Sequence, residues 1–219
     1  MLAMSESDQA VVDTAPEEVA PSSALDEETA RRRQAAMAQI VQYGDPVLKS
    51  KASAVTEFDR TLAEEIERMV ALMHDGLGVG LAANQIGHLR RLLVFQTNSD
   101  AEPRALVNPE IDWTSDETEV MAEGCLSISR VVVDVERPLF ARVRGQDQGG
   151  AETVIEASGY EARVLQHEID HLNGVLILDR TERGQRRGAM KALRRGESYS
   201  PPSDDAAVDA ADEAADEES

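Results

Sequence analysis

Apolar side chains in the first half of the chain recur every three or four positions, the spacing of one face of an α-helix. The positions that share this face are Leu62, Ile66, Met69, Val70 and Met73. Residues 56–59 have the composition of a capping box that would open the helix. The glycines within residues 76–80 would end it.

Shorter runs of β-branched and other apolar residues follow, and they predict strands. The runs are residues 91–95, 105–109, 131–135, 141–144 and 153–155, with a glycine-rich turn at residues 145–150. A second helix is predicted over residues 162–172, and Asn173-Gly174 would end it. This order indicates an α+β domain over residues 38–180, built from mostly antiparallel strands.

Charge separates this domain from the two ends of the chain. Residues 1–30 and residues 203–219 each hold eight acidic and no basic residues, so most of the net charge of −20 lies there. Both ends are poor in large apolar residues and cannot bury enough surface to offset the entropy of ordering. We therefore predict a disordered acidic extension over 1–37, the folded domain over 38–180, a basic helical segment over 181–200 and a disordered acidic tail over 201–219.

Composition excludes several protein classes. No run approaches the roughly 18 consecutive apolar residues of a membrane span, so we expect no membrane partner. No basic region followed by an apolar stretch marks a secretory signal. The single cysteine, Cys125, excludes an internal disulfide framework and is typical of a cytoplasmic protein.

An H-E-x-x-H pattern at residues 167–171 falls inside the second predicted helix. His167 and His171 are four positions apart and share a face, so their imidazoles could hold one metal ion. Glu168 could then reach a water on that ion. Two surface histidines on a polar helix are the alternative, but Tyr160 and Val164 fall on the same face and indicate that it is buried.

A catalytic metal site of this kind needs a third protein ligand and an open position for water. No histidine follows His171, whereas Cys125 lies upstream in the E-G-C-L-S segment of residues 123–127. A lone cysteine is commonly a small core residue. In this segment Cys125 could equally be a thiolate ligand.

Residues 78–85, G-V-G-L-A-A-N-Q, form a third candidate segment. No P-loop lysine accompanies the glycines, so they are weak support for a nucleotide site, but they would let another backbone approach closely. Gln85 offers an amide donor of the kind found in oxyanion holes. The alternative is a tight turn with a surface glutamine.

In this order, the three segments resemble the hallmarks of the peptide deformylase family, G-x-G-L-A-A-x-Q, E-G-C-L-S and H-E-x-D-H. Residues 43–48, 107–109 and 171–176 also look like family positions, so the resemblance covers about residues 38–180. It implies mostly antiparallel strands packed around a central metal-binding helix. It also implies a hydrolase that removes the formyl group from the N-terminal formyl-methionine of newly synthesised proteins.

The resemblance implies roles for individual residues. One divalent metal ion per chain, typically Fe²⁺ with Zn²⁺, Ni²⁺ or Co²⁺ able to substitute, would be held by Cys125, His167 and His171. Glu168 would be the general acid/base, and the oxyanion would be held by Gln85 and the backbone N–H of Leu126. The residues that would bind substrate are Val79, Gly80, Gly124, Tyr160 and Val164, the last two lining the pocket for the methionine side chain.

The chain departs from the family pattern beside these motifs. Ser129 stands where proline is frequent, and the loop after it lacks the usual glycine, which leaves specificity beyond methionine open. Asn84 stands where proline or threonine is common, and we expect no consequence of that difference.

Two other functions are compatible with H-E-x-x-H. A metalloprotease is disfavoured because no further ligand follows His171 and because Cys125 lies in its own motif. A non-catalytic paralogue that binds the ribosome would be expected to have lost Glu168 or a metal ligand, and all of these residues are present.

Residues 180–195 hold seven basic residues and one acidic residue at helical spacing. This stripe predicts contacts with phosphate groups on the ribosome, although it could instead offset the acidic tail. Gly184 and Gly188 each weaken a helix by about 1 kcal/mol, so we expect the segment to order on binding. The protein is otherwise expected to be a monomer.

Asp170 lies in the metal-binding helix, on a different face from the two histidines. Arg137 ends the strand-like run that follows Cys125. We predict that the two side chains pair, anchor the helix to the sheet and so fix the geometry of the ligands.

Overall fold

The computed structural model describes residues 25–202. Their helices and strands are, in chain order, α1 (Glu27–Met37), α2 (Arg60–Asp75), β1 (Gly80–Ala82), β2 (Leu92–Phe95), β3 (Arg104–Thr114), β4 (Thr118–Gly124), β5 (Val132–Pro138), β6 (Phe140–Gln146), β7 (Glu152–Ser158), α3 (Gly159–Leu172), α4 (Ile177–Arg180) and α5 (Arg183–Arg195). Short 3₁₀ helices lie at Pro46–Lys49 and Ala83–Ile86. Within this part of the chain, every helix is too short or too polar to cross a membrane.

Helix α3 lies against two antiparallel sheets. The larger sheet has the strand order β1-β2-β3-β6-β7, and β4 pairs with β5 as a two-stranded ribbon. α3 contacts β1, β2, β6 and β7 of the larger sheet and β5 of the ribbon. Its buried Leu165 and Ile169 pack in one cluster with Leu93 and Val143 of the sheet. The predicted arrangement of antiparallel strands around a central helix is confirmed.

Each of the five predicted strands is present, and β3 continues to Thr114, well past its predicted end at residue 109. Two further strands were not predicted. β1 has only three residues, too few for a pattern to emerge. In β4 the only buried residue is Glu123, so no apolar residues face the core. The strand therefore lacks the apolar alternation from which a strand is predicted.

Helix α2 confirms the helical face predicted from the apolar spacing, but it begins differently. Arg60 is its first residue, and the carboxylate of Asp59 accepts a hydrogen bond of 3.0 Å from the backbone N–H of Leu62. The capping box at residues 56–59 is therefore wrong. Asp59 itself satisfies an N–H group of the first turn, which is the role of an N-cap residue.

Part of the predicted N-terminal extension is a helix, so the boundary at residue 37 needs correction. Asp26 caps α1 through a 2.9 Å hydrogen bond from the backbone N–H of Thr29. At the other end of α1, Ala36 is buried and Met37 packs into the core cluster that contains the apolar face of α2. This burial orders a helix that composition alone does not indicate. Residues 1–24 and 203–219, where the other predicted disorder falls, lie outside the described residues.

The basic segment predicted over 181–200 is helical only over α5 (Arg183–Arg195), and its residues 196–200 are not helical. Ala189 and Ala192 are buried where α5 contacts β5, so burial against the domain stabilises the helix without a partner. The expectation that it orders on binding is therefore wrong. Arg180 precedes α5 and does not belong to the stripe, because its guanidinium donates to both carboxylate oxygens of Asp170.

Candidate active site

Three potential metal ligands meet at the centre of the fold. Cys125 follows β4, and His167 and His171 lie one turn apart on α3. Their ligand atoms all lie within 4.8 Å of one another, and Cys125 Sγ is 3.2 Å from His171 Nε2. A thiolate and two imidazoles, buried or half-buried and converging from two elements, fit a divalent transition-metal ion. Among residues 25–202, this is the only such group of three or more ligating side chains.

Glu123 orients the first histidine. Its Oε2 lies 3.0 Å from His167 Nδ1, which leaves Nε2 of that ring for a metal ion. Burial raises the pKa of the Glu123 carboxyl, but hydrogen bonds from His167 and Arg137 outweigh burial and lower the pKa to about 2. The carboxylate is therefore charged and accepts from the imidazole. Glu123 belongs to the E-G-C-L-S segment, but no sequence pattern indicated this role for it.

Buried arginines surround this carboxylate. Arg137 donates to both oxygens of Glu123, at 2.6 and 3.0 Å, and also to Asp170 Oδ2 at 2.9 Å. Arg163 of α3 donates to Glu123 Oε1 at 2.7 Å. The structure thus forms the predicted pair of Arg137 and Asp170 and extends it into a network that ties the ribbon to α3. Asp170 also holds Arg180, so the network reaches α4.

Glu168 lies beside the candidate ligands and is almost completely buried. The side chain is 4% exposed, and Oε2 has no hydrogen-bond partner among the described residues. Burial is the main cause that raises its pKa to about 7. Gly80 makes room for it, because a Cβ atom there would collide with the Glu168 carboxylate. A glycine of the first motif and the acid of the third are therefore in direct contact.

Gln85 lies in the 3₁₀ helix Ala83–Ile86 and is buried. Its Oε1 accepts a 2.8 Å hydrogen bond from the backbone N–H of Ala82, which fixes the orientation of the amide. Its Nε2 is then directed to Ser127 Oγ at 3.3 Å and Cys125 Sγ at 3.8 Å. The surface-turn alternative does not hold for Gln85, and its amide donor is directed to Cys125, one of the three candidate ligands.

Asn84 is buried as well, although nothing in the sequence indicated its burial. Its Nδ2 donates to the backbone carbonyl of His171, a metal-ligand candidate. The amide ties the C-terminal turn of α3 to the segment that carries Gln85.

An open cleft of about 590 Å³ gives access to this group. Leu126, Gln85 and Glu168 line it, together with Cys125 and His167. All five predicted substrate-binding residues also line it: Val79, Gly80, Gly124, Tyr160 and Val164. Tyr160 is half-exposed at 49%, whereas Val164 is buried. The structure thus gathers the predicted site residues around one cleft.

Known proteins match this chain over most of its described length. The sequence model of the polypeptide deformylase family matches residues 37–187. A peptide deformylase of Thermotoga neapolitana is 46% identical over 157 residues, which are 72% of this chain and 94% of that protein. Peptide deformylase 1 of Corynebacterium efficiens is 44% identical over 154 residues, 69% of this chain and 91% of that protein.

Solved structures agree in fold as well as in sequence. The peptide deformylase of Thermotoga maritima superposes with a TM-score of 0.63 at 47% identity, over 65% of this chain and 96% of that one. The enzyme of Synechococcus elongatus in complex with actinonin gives 0.68 at 39% identity, over 73% and 88%. With the three motifs gathered around one cleft and with these matches over most of its length, the chain belongs to the polypeptide deformylase family.

Proposed function

We propose that the cleft beside Cys125, His167 and His171 is where this enzyme removes the formyl group from the N-terminal formyl-methionine of newly synthesised polypeptides. Family membership gives the reaction. The convergence of three ligand atoms beside the buried Glu168 supports the assignment to this cleft. Formate release from a formyl-methionyl peptide, without cleavage of internal peptide bonds, is the test. Cleavage of internal bonds alone would indicate a metalloprotease instead.

The family is metal-dependent, and the ion that we propose for this chain is Fe²⁺, one per chain. A thiolate with two imidazoles would also accept Zn²⁺, Ni²⁺ or Co²⁺. A bound divalent ion supplies Lewis acidity, which generates a nucleophile from water near neutral pH. Glu123 supports the ligand set, since its hydrogen bond fixes the ring of His167.

Replacing Cys125 by serine should weaken metal binding, because a hydroxyl group is a much poorer ligand than a thiolate. Protein purified without oxygen is expected to carry iron and to lose activity in air, whereas the serine variant should contain much less metal. Metal analysis of both proteins, prepared side by side, is the measurement. Full occupancy in the serine variant would contradict the assignment of Cys125.

Glu168 is proposed to accept a proton from the attacking water and to deliver it to the departing amine. Glu168 Oε2 has no hydrogen-bond partner among residues 25–202, which supports this role because the oxygen is free to bind a proton. Because Gly80 has no side chain, the Glu168 carboxylate can lie against the backbone of the cleft wall. Substrate and acid/base can therefore approach each other closely.

Negative charge develops on the formyl oxygen as water attacks, and Gln85 and the backbone N–H of Leu126 are proposed to meet it. The contact between Gln85 Oε1 and the Ala82 N–H supports this role. It holds the amide so that its N–H groups, not its oxygen, face the ligands. Such a preset donor needs no reorganisation during the reaction.

Replacing Gln85 by leucine should lower kcat more than it raises KM, because an oxyanion donor acts mainly in the transition state. A Gln85→Glu variant keeps the acceptor for Ala82 but has no N–H donor, so it should also lose kcat. Steady-state kinetics on a formyl-methionyl peptide measure both. Wild-type kcat in either variant would show that Gln85 is not the donor.

The substrate backbone is proposed to extend along β1, with Val79 and Gly80 beside it and Gly124 on the ribbon side. β1 is the terminal strand of the larger sheet, so its outer edge can receive an extended chain. The methionine side chain would enter between Tyr160 and Val164, which line the cleft from α3. A formyl group carries only hydrogen where other acyl groups carry carbon, so a tight site can exclude acetylated ends.

We also propose that the protein acts as a monomer in the cytoplasm and contacts the ribosome through α5. The exposed bases on α5 are Arg183, Arg186, Arg187, Lys191, Arg194 and Arg195. Newly made chains emerge beside RNA phosphate, to which such a stripe is complementary.

Replacing Arg187, Lys191 and Arg194 by glutamine should abolish co-sedimentation with ribosomes and leave turnover of a short formyl-peptide unchanged. Substitution is preferable to deletion, because α5 buries Ala189 and Ala192 in the domain. Removing residues 203–219 should strengthen binding, since eight negative charges are lost. Absent binding at low salt, or binding that does not weaken as salt rises, would exclude this contact.

A further inference from the structure

The residues that follow α5 also contact the domain. The chain turns at Gly196, where φ is +69°, and returns to the cleft that holds the metal ligands. We call residues 196–202 the C-terminal strap. The family model ends at residue 187, so the strap lies beyond the part of the chain that family membership explains.

Backbone pairing attaches the strap to the loop after the metal-ligating cysteine. The N–H of Tyr199 donates to the carbonyl of Arg130 at 2.8 Å, and the N–H of Val132 donates to the carbonyl of Tyr199 at 2.9 Å. The guanidinium of Arg130 also donates to the carbonyl of Gly196 at 3.0 Å. Tyr199 therefore sits as one residue of a parallel strand beside residues 130–132.

Side-chain packing holds the same residue from the other direction. The ring of Tyr199 lies on Gly188 of α5, and a Cβ atom at that glycine would collide with it. Tyr199 also packs against the core cluster that includes Val131 and Val133. Gly188, although unfavourable in a helix interior, is the residue that admits the ring.

The strap meets the chain where its sequence departs from the family pattern. Ser129 replaces the frequent proline, and Arg130 occupies a left-handed conformation with φ +68° where a non-glycine residue is uncommon. The carbonyl of that same Arg130 accepts from Tyr199. The left-handed loop residue and the strap thus form a single contact.

Two serines of the strap line the cleft. Ser198 and Ser200 flank Tyr199 and contribute to the same cavity as Leu126 and Glu168. Tyr199 directs its backbone groups to the loop, so in an extended segment its neighbours direct theirs to the opposite edge. Within residues 25–202, neither serine has a backbone hydrogen-bond partner on that edge.

From these contacts we propose that the strap is a wall of the substrate site, which binds the extended main chain of the polypeptide beyond its second residue. The proposal rests on the deformylase function proposed above. The strap adds a polar strand edge on the loop side of the cleft, in addition to the edge of β1. Its contribution is to the binding of longer chains and not to the chemistry at the formyl group.

A pair of truncations tests the wall. Ending the chain after Gly196 removes Ser198, Tyr199 and Ser200, whereas ending it after Pro202 keeps them and removes only the acidic tail. Two substrates are compared, a formyl-methionyl dipeptide and a formyl-methionyl pentapeptide. The shorter chain should lose about tenfold in kcat/KM on the pentapeptide, as expected for one or two hydrogen bonds, through a higher KM. On the dipeptide, both truncations should match the full-length protein.

A second pair of variants tests whether the packing of the Tyr199 ring on Gly188 positions the strap. Gly188→Leu fills the volume occupied by the Tyr199 ring and should reproduce the loss on the pentapeptide. Gly184→Leu, in the same helix, faces open space and should behave like the unmodified protein. Thermal unfolding of both variants shows whether the helix remains intact.

The outcomes separate this proposal from the function on which it rests. No turnover of the dipeptide by the full-length protein would remove the deformylase assignment itself. Equal losses on both peptides after truncation would show that the strap only supports the fold. Unchanged kinetics on both peptides would show that it does not touch substrate, and a Gly188→Leu variant without length-dependent loss would exclude Tyr199 as the anchor.

Discussion

Replacing Glu168 by alanine is expected to lower kcat by about 10²–10⁴-fold, the usual contribution of a general acid/base. The carboxylate is buried in the wall of the cleft, with Oε2 free of hydrogen-bond partners among the described residues. Glu168 follows His167 in the chain but is not one of the three converging ligands. The variant should therefore keep its metal and lose its turnover, which parallel metal analysis and formate release would show.

A matched substitution separates proton transfer from the shape of the site. Glu168→Gln preserves the volume but cannot cycle a proton, so it should be as impaired as the alanine variant. Glu161→Gln alters a second glutamate of α3, which pairs with Arg104 outside the cleft, and should leave kcat unchanged. Turnover close to wild type in Glu168→Ala would show that another group moves the proton.

Replacing Arg137 by alanine is expected to lower the free energy of unfolding by about 3–5 kcal/mol, since it breaks a buried ion pair from one side. The guanidinium is 4% exposed and joins Glu123 to Asp170. Its removal leaves two buried carboxylates with fewer donors, at the point where the ribbon meets α3. Denaturant unfolding of the metal-loaded proteins measures the effect.

The exposed pair of Arg144 and Glu110 provides the control. Its atoms are 2.7 Å apart, comparable to the buried pair, but both side chains are more than half exposed. Arg144→Ala should therefore lower the free energy of unfolding far less than Arg137→Ala, because solvent screens an exposed ion pair. If Arg137→Ala lowered the free energy of unfolding no more than the small loss expected for Arg144→Ala, the buried network would not stabilise the fold.

Sequence patterns correctly predicted the features that depend only on residues close together in the chain. The four-residue spacing of His167 and His171 fixes their common face in any helix, and the apolar spacing of α2 fixes its buried side. The residues around Cys125 left a thiolate ligand and a small core residue as alternatives, and only the family resemblance favoured the ligand. The approach of Cys125 to α3 depends on a ribbon that docks across the chain.

What the sequence did not indicate depends on contacts between distant segments. Glu123 and Arg163 look like surface charges on a polar strand and a helix, yet they are buried because each satisfies the other. The collision that any side chain at Gly80 would have with Glu168 joins positions 88 residues apart. α1 is ordered by the burial of Ala36 and the packing of Met37 against the cluster that contains the apolar face of α2, which composition cannot register.

The docking of the ribbon on α3 has a thermodynamic consequence. In the unfolded chain Cys125 is far from the two histidines, and only folding brings the three ligands together, so an ion bound by all three favours the folded form by mass action. Stability then becomes a function of free-ion concentration. A cell short of the ion would hold fewer intact copies, and proteases would remove the remainder, so metal supply would set the abundance of the enzyme as well as its loading.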